Sequence, residues 1–171
     1  MHIRPEAAER HTLSVTVDNE AGILARIAGM FAGRGYNIES LTVSEISEDD
    51  LLSRLTIVTR GSPQVIEQVV AQLDRLVNVH RVTDLGETGP YVARELALVK
   101  VAGTGDKRIE ALRLAEVYRA RVIDATVSSF VFEVTGGSEK IDKFLELMRE
   151  VGLVEIARTG VAAITRGRDA A

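Results

Sequence analysis

The sequence predicts an α+β protein in which one order of elements, βαββαβ, occurs twice. Three observations predict it. Short apolar–polar alternations mark strands, apolar stripes at helical spacing mark two helices in each half, and a stretch with two glycines and a proline parts the halves.

The first half is the clearer one. Leu13, Val15 and Val17 alternate with Thr12, Ser14 and Thr16, the pattern of a half-buried strand over 12–17. A helix is expected from about Gly22 to Arg34, with Ile23, Leu24, Ile27, Ala28, Met30 and Phe31 on one stripe. Asp18 or Asn19 is its expected cap. Gly33 and Gly35 flank Arg34 at the helix end, where a left-handed residue costs little. Strands follow at about 37–47 and 51–59, joined across Glu48, Asp49 and Asp50. Pro63 opens a second helix with Val65, Ile66, Val69, Val70, Leu73 and Leu76 on its stripe. A last strand runs from about Val77 to Thr83.

The second half repeats the order. Glu95 to Val101 reads as a strand, and Lys107 to Tyr118 as a helix with Ile109, Leu112 and Ala115 inward. Val122 to Thr126 and Phe130 to Thr135 read as strands, with Phe130, Phe132 and Val134 on one face. Ile141, Phe144, Leu145 and Met148 mark a helix, and a final strand or pair lies within 153–165. The fold class is therefore α+β, with two ferredoxin-like βαββαβ domains. The expected boundaries are a flexible tail over 1–11, a first domain over 12–86, a linker over 87–94 and a second domain over 95–168.

Charge and composition bound the function. Net charge is −4, and residues 1–88 carry 8 basic and 13 acidic side chains against 13 and 12 in residues 89–171. That argues against a nucleic-acid footprint. Zero cysteines fit a reducing cytoplasm and leave no thiolate for metal or nucleophilic chemistry. No apolar run approaches the length of a membrane span.

The chain carries no set of convergent acid, base and nucleophile. Of the histidines, His2 and His11 lie in or beside the tail, and His80 lies in a strand without a metal-ligand partner two or four residues on. A solvated or cross-strand histidine is the expected reading. Gly33 and Gly35 adjoin a helix end rather than a helix start, which argues against a dinucleotide loop.

Two runs stand out. Asp18-Asn19-Glu20-Ala21-Gly22-Ile23-Leu24 closes a strand, turns and opens a helix. Arg34-Gly35-Tyr36-Asn37-Ile38-Glu39-Ser40-Leu41 leaves that helix and starts the next strand. A helix start gathers free backbone N–H groups and the positive end of the dipole, so it can hold a carboxylate. Asx residues with glycine also suit any strand-to-helix turn, so spacing alone leaves both readings open.

Taken together, these runs resemble the ACT domain of the small, regulatory subunits of acetolactate synthase (acetohydroxyacid synthase). Leu52 to Ile57, Arg94 to Val101, Val122 to Ala125, Glu155 to Gly160 and Arg166-Gly167 extend the resemblance over about 12–167. The 102–108 turn is the least family-like stretch.

The resemblance implies a non-catalytic subunit. Its partner is the acetolactate synthase catalytic subunit, which it activates and renders sensitive to feedback inhibition by valine or another branched-chain amino acid. It implies no cofactor on this chain, with thiamine diphosphate, Mg2+ and FAD on the catalytic partner. It implies a homodimer through paired ACT domains, with effector at the seam. Asn19, Gly22, Ile23 and Leu24 of one protomer and Asn37 and Ile38 of the other would form that site. Backbone N–H groups at Gly22–Leu24 would take the effector's carboxylate. The side-chain carbonyls of Asn19 and Asn37 would accept from its ammonium, and Leu24 and Ile38 would line the isopropyl pocket. Two other classes stay open at this level: a free-standing ACT sensor for another enzyme or transcription factor, and a small enzyme on the same fold.

Overall fold

A computed structural model describes residues 8–47, 49 and 51–168. The chain divides into two compact units, one running to Val92 and resuming at Val161, the other spanning Ala93–Gly160.

The first unit begins with β1 (Glu9–Asp18), α1 (Ile23–Gly33), β2 (Ile38–Ser47) and β3 (Leu52–Gly61). It continues with α2 (Pro63–Asp74), β4 (Val79–Asp84) and a single turn, α3 (Leu85–Thr88). The sheet order is β2-β3-β1-β4, with every neighbouring pair antiparallel. This is the order a split βαβ unit requires. Both helices lie on one face. Leu13, Val15, Val17, Leu55 and Ile57 of the sheet close over Ile23, Ile27 and Phe31 of α1 and Ile66, Val69 and Leu73 of α2. Ser62 caps α2, its Oγ accepting from the Val65 N–H at 3.4 Å, and Pro63 follows it.

The second unit repeats the plan. It comprises β5 (Tyr91–Ala102, from Ala93 on), α4 (Asp106–Val117), β6 (Arg121–Ala125), β7 (Ser129–Gly136), α5 (Ser138–Val151) and β8 (Leu153–Arg158). Its order, β6-β7-β5-β8, matches the first unit strand for strand. The two-fold βαββαβ architecture read from periodicity is borne out. Phe130, Phe132 and Val134 share the buried face of β7, as their alternation predicts, and Ile141, Phe144, Leu145 and Met148 are buried on α5. Helix α4 departs from expectation. It buries Ala115 as expected, but with Ala111, while Ile109 and Leu112 are 54% and 40% exposed. The rings of Phe130, Phe132, Phe144 and Tyr118 already fill the space beneath it, so the helix presents its small residues.

The chain's ends differ from the expected boundaries. Residues 1–7 of the tail fall outside the described residues, but Glu9–His11 extend β1 and pair with Gly61–Thr59. The expected linker is structured on both sides, since α3 ends within it and β5 starts within it. The last strand, β9 (Ala162–Thr165), belongs with the first unit rather than the second.

That return explains a second departure. Alternation in β1 predicts that Thr12, Ser14 and Thr16 face solvent, yet Thr12 and Ser14 are buried, with Thr56 and Thr83 beside them. Thr42, Thr56, Ser14 and Thr83 form one row across all four strands of the first sheet. Val161 and Ala163 are buried in the same unit. The Val161 N–H donates to Ser40 Oγ at 2.8 Å, and Thr42 Oγ1 donates to the Val161 carbonyl at 2.9 Å. Tyr91 adds a hydroxyl contact to Thr12 at 3.4 Å. The face away from the helices is polar because hydroxyls, not aliphatic side chains, receive the returning chain.

No helix among the described residues is long and apolar enough to cross a membrane.

Candidate functional site

The loop between β1 and α1 is built around Gly22. Its φ of 92° lies in the left-handed region, where an L side chain is strained and glycine is not. Gly22, rather than Asp18 or Asn19, caps α1, and no side chain bonds to the helix start. The expected Asx cap is not made because Glu20 and Ala21 intervene before the helix, and the Asp18 carboxylate is engaged by Asn78 and His80. The Asn19 N–H donates to the Leu51 carbonyl at 2.6 Å. The Ile23 N–H makes a long bond to the Glu20 carbonyl at 3.4 Å, and the Arg26 N–H bonds the Gly22 carbonyl at 3.0 Å. The first turn of α1 thus keeps outward N–H groups free of side-chain caps, next to an open space. A Cβ built on Gly22 meets nothing within 4 Å.

The loop is held from the other side by Asn78, a residue the sequence reading does not single out. The Asp18 N–H donates to the Asn78 carbonyl at 3.0 Å. Asn78 Nδ2 donates to Asp18 Oδ2 at 3.1 Å and Glu20 Oε2 at 3.0 Å, while its Oδ1 accepts from Arg26 at 2.5 Å. Asn78 sits between Val77 and Val79 and so reads as part of a strand. Only folding brings it against the loop, some sixty residues away in the chain. His80 completes the cluster at 2.6 Å from Asp18 Oδ1. Its hydrogen bond is the largest influence holding the Asp18 carboxyl below the usual carboxylate range, and that of Asn78 adds to it. His80 is thus the cross-strand histidine the sequence suggests.

The second run is positioned by α2. Arg34 donates to Gln72 Oε1 at 2.9 Å, Tyr36 to Gln68 Oε1 at 3.2 Å, and the Tyr36 ring meets Phe31 edge-on at 6.2 Å. Gly35 takes a φ of 70°. Thr59 Oγ1 then donates to the Asn37 carbonyl at 2.7 Å, which fixes where β2 begins. The Asn37 side chain is exposed and Ile38 is half-buried.

The six predicted residues fall into two groups. Asn19 and Gly22 are exposed at the loop, Leu24 is 42% exposed, and Ile23 is turned into the core, so it offers backbone rather than side chain. Asn37 and Ile38 lie at the opposite end of the same sheet. Ile38 pairs with Thr59, and Thr59 pairs with His11, seven residues before Asp18. That offset spans roughly 23 Å of strand. One protomer does not bring the two groups together.

Strand β2 is an edge of the sheet, so its outer N–H and C=O groups are open to another strand. In an antiparallel pairing of β2 with β2 of a second copy, the start of one strand falls level with the end of the other. The end of β2, at Ser47, lies at the level of Leu52 and hence of Asp18. Such a pairing carries the partner's Asn37 and Ile38 to the end of the sheet that holds Asn19 and Gly22.

The fold and this loop chemistry define an ACT-type domain joined to a second ferredoxin-like domain. Residues 13–81 match the AHAS small subunit-like ACT domain, and residues 94–167 match the family described as small subunit of acetolactate synthase. The chain is 46% identical over 158 residues to a probable acetolactate synthase small subunit of Archaeoglobus fulgidus, covering 92% of this chain and 98% of that one. It is 46% identical to the acetolactate synthase isozyme 3 small subunit of Escherichia coli, covering 92% and 96%. The crystal structure of the acetolactate synthase small subunit from Thermotoga maritima superposes with a TM-score of 0.81 at 39% identity, covering 94% of this chain and 99% of that one. The chain belongs to the acetolactate synthase small subunit family, as a non-catalytic subunit.

Proposed function

We propose that this chain regulates the acetolactate synthase catalytic subunit, raising its activity and making it sensitive to feedback inhibition by valine or another branched-chain amino acid. The thiamine diphosphate, Mg2+ and FAD of the reaction belong to that catalytic partner, and the complex works in the cytoplasm. Two copies pair through β2, and the effector binds at the seam.

One observation carries the reading. The loop at Gly22 and the start of β2 lie at opposite ends of one sheet whose β2 edge is open; antiparallel pairing of two such edges would put them side by side. The chemistry follows. N–H groups of the α1 first turn take the carboxylate, helped by the helix dipole. The side-chain carbonyls of Asn19 and the partner's Asn37 accept from the ammonium, and Leu24 and the partner's Ile38 enclose the branched side chain. One methylene separates valine from leucine, worth only about 1–3 kcal/mol in such a pocket, so selectivity among branched amino acids is modest.

The test is to mix the chain with a catalytic subunit from the same source and assay acetolactate formation with and without valine. Stimulation by the chain, and its reversal by valine, is expected. A catalytic subunit indifferent to the chain would overturn the assignment of partner. Stimulation that no branched-chain amino acid reverses would overturn the assignment of effector.

A further inference from the structure

We propose that Ser40 and Thr42 are the residues through which effector at the seam acts on the rest of the chain, by clamping Val161 to strand β2. This rests on the effector reading above.

The two hydroxyls stand two residues apart on β2, and therefore on one face of the sheet. Each takes one backbone group of the same residue. Ser40 Oγ accepts the Val161 N–H at 2.8 Å, and Thr42 Oγ1 donates to the Val161 carbonyl at 2.9 Å. Val161 has no place in the strand ladder, since β9 begins only at Ala162. The hydroxyls thus stand in for a neighbouring strand. The Val161 side chain is 4% exposed, so losing either hydroxyl leaves a peptide group unpaired and out of water's easy reach. Residues some 120 apart in sequence are tied together by two bonds.

The position of the clamp gives it consequence. Upstream on the same strand, two residues before Ser40, is Ile38, which faces the effector in the proposed seam. Between them the β2–β3 register is irregular at Glu39, and Glu39 is gripped by Arg10 at 3.0 Å and Arg60 at 2.5 Å. A bulge of this kind changes local twist, so a shift at the strand's start re-aims the side chains just beyond it. Downstream, Val161 is covalently joined to Gly160, the last residue of the second unit. A displacement of Ser40 and Thr42 therefore reaches the chain where it enters from the second unit. Neither residue touches the effector in this arrangement. Both are positioning residues.

The experiment separates binding from response. The holoenzyme is reconstituted with Ser40→Ala/Thr42→Val, with Thr42→Val alone, and with Thr42→Ser, which keeps the donor. Valine binding to each small subunit is measured by calorimetry, and inhibition is measured on the holoenzyme. The proposal expects the valine Kd of the double variant to stay within about twofold of wild type, while its half-inhibitory valine concentration rises at least tenfold or inhibition disappears. Thr42→Val, nearly the same size as threonine, should show the same split in milder form if the double variant does not fold. Thr42→Ser should behave as wild type. Wild-type inhibition in Thr42→Val would overturn the proposal, as would a parallel loss of binding and inhibition. A wild-type chain that binds no branched-chain amino acid would instead overturn the effector reading, and the coupling with it.

Discussion

Asp18 and His80 face each other from β1 and β4, with His80 Nε2 2.6 Å from Asp18 Oδ1. This contact and the Asn78 bridge pin the start of the loop that ends at Gly22. The Asp18 carboxyl is held below the usual carboxylate range, so its contribution to order in the loop is present above the unfolded value of about 3.9 and is lost as pH falls through the lower folded value. Amide exchange at Asp18, Asn19 and Arg26, whose N–H groups are bonded within the loop and first turn, should stay protected at about pH 4 and lose that protection only as pH falls further, ahead of the core strands. Asp18→Asn should remove this pH dependence. Protection that persists unchanged well below pH 3 would show that the carboxylate does not hold the loop.

Gly22→Asp tests the anion position. The open space above Gly22 means that the new Cβ meets nothing within 4 Å, and a φ of 92° adds about 1–2 kcal/mol of backbone strain. The effect on valine should be much larger than the effect on fold, because a carboxylate then occupies the place offered to the effector's own. Feedback inhibition should vanish while stimulation of the catalytic subunit largely survives. Inhibition by valine at wild-type concentrations in this variant would mean that the loop is not the site.

A mixed dimer tests the seam. One protomer carries Asn19→Ala and the other Asn37→Ala, purified through two different tags. In a shared site, one pocket then lacks both side chains and the other is intact. Each homodimer has two damaged pockets. Calorimetry should find about one near-normal valine site per mixed dimer, and weakening of roughly 0.5–1.5 kcal/mol per lost hydrogen bond in the homodimers. Two equally weakened sites in the mixed species would place both asparagines in one protomer's pocket and sink the seam.

Gly152→Ala tests the second unit. The Ala102 N–H donates to the Gly152 carbonyl at 2.9 Å, and a Cβ at Gly152 would lie inside the radius of the Ala102 carbonyl oxygen. Its φ of 115° is closed to L residues as well. The substitution should cost about 3 kcal/mol or more and lower the melting temperature sharply. Gly137→Ala, with an ordinary φ of −69° and nothing within 4 Å of the new atom, should change stability by less than about 1 kcal/mol. Equal melting of the two variants would show that the close approach at Gly152 relaxes.

Much of this molecule is legible in its residue pattern. Alternation in Leu13–Val17 and Phe130–Val134, and stripes such as Ile66–Leu73 and Ile141–Met148, place strands and helices because side-chain direction repeats locally, every two or 3.6 residues. The same local logic locates the turn at Gly22. What periodicity does not contain is which distant segment covers a face. Thr12 and Ser14 look solvent-facing in sequence and are buried in the fold, because Val161 and Ala163 come back to the first unit. Helix α4 turns in alanines rather than Ile109 and Leu112 because three phenylalanines from β7 and α5, with Tyr118 at the helix's own end, take the volume.

By itself, the sequence determined the order of elements, the glycine-hinged loop and the family to which they belong, since all three are written in neighbouring residues. Tertiary structure alone decided that Asn78 holds the loop, that Val161 is clamped to β2, and that Asn19 and Asn37 stand at opposite ends of one sheet. These depend on strand register and on contacts across 20 to 120 residues, and no local pattern of side chains encodes a distance between segments that meet only when the sheet assembles.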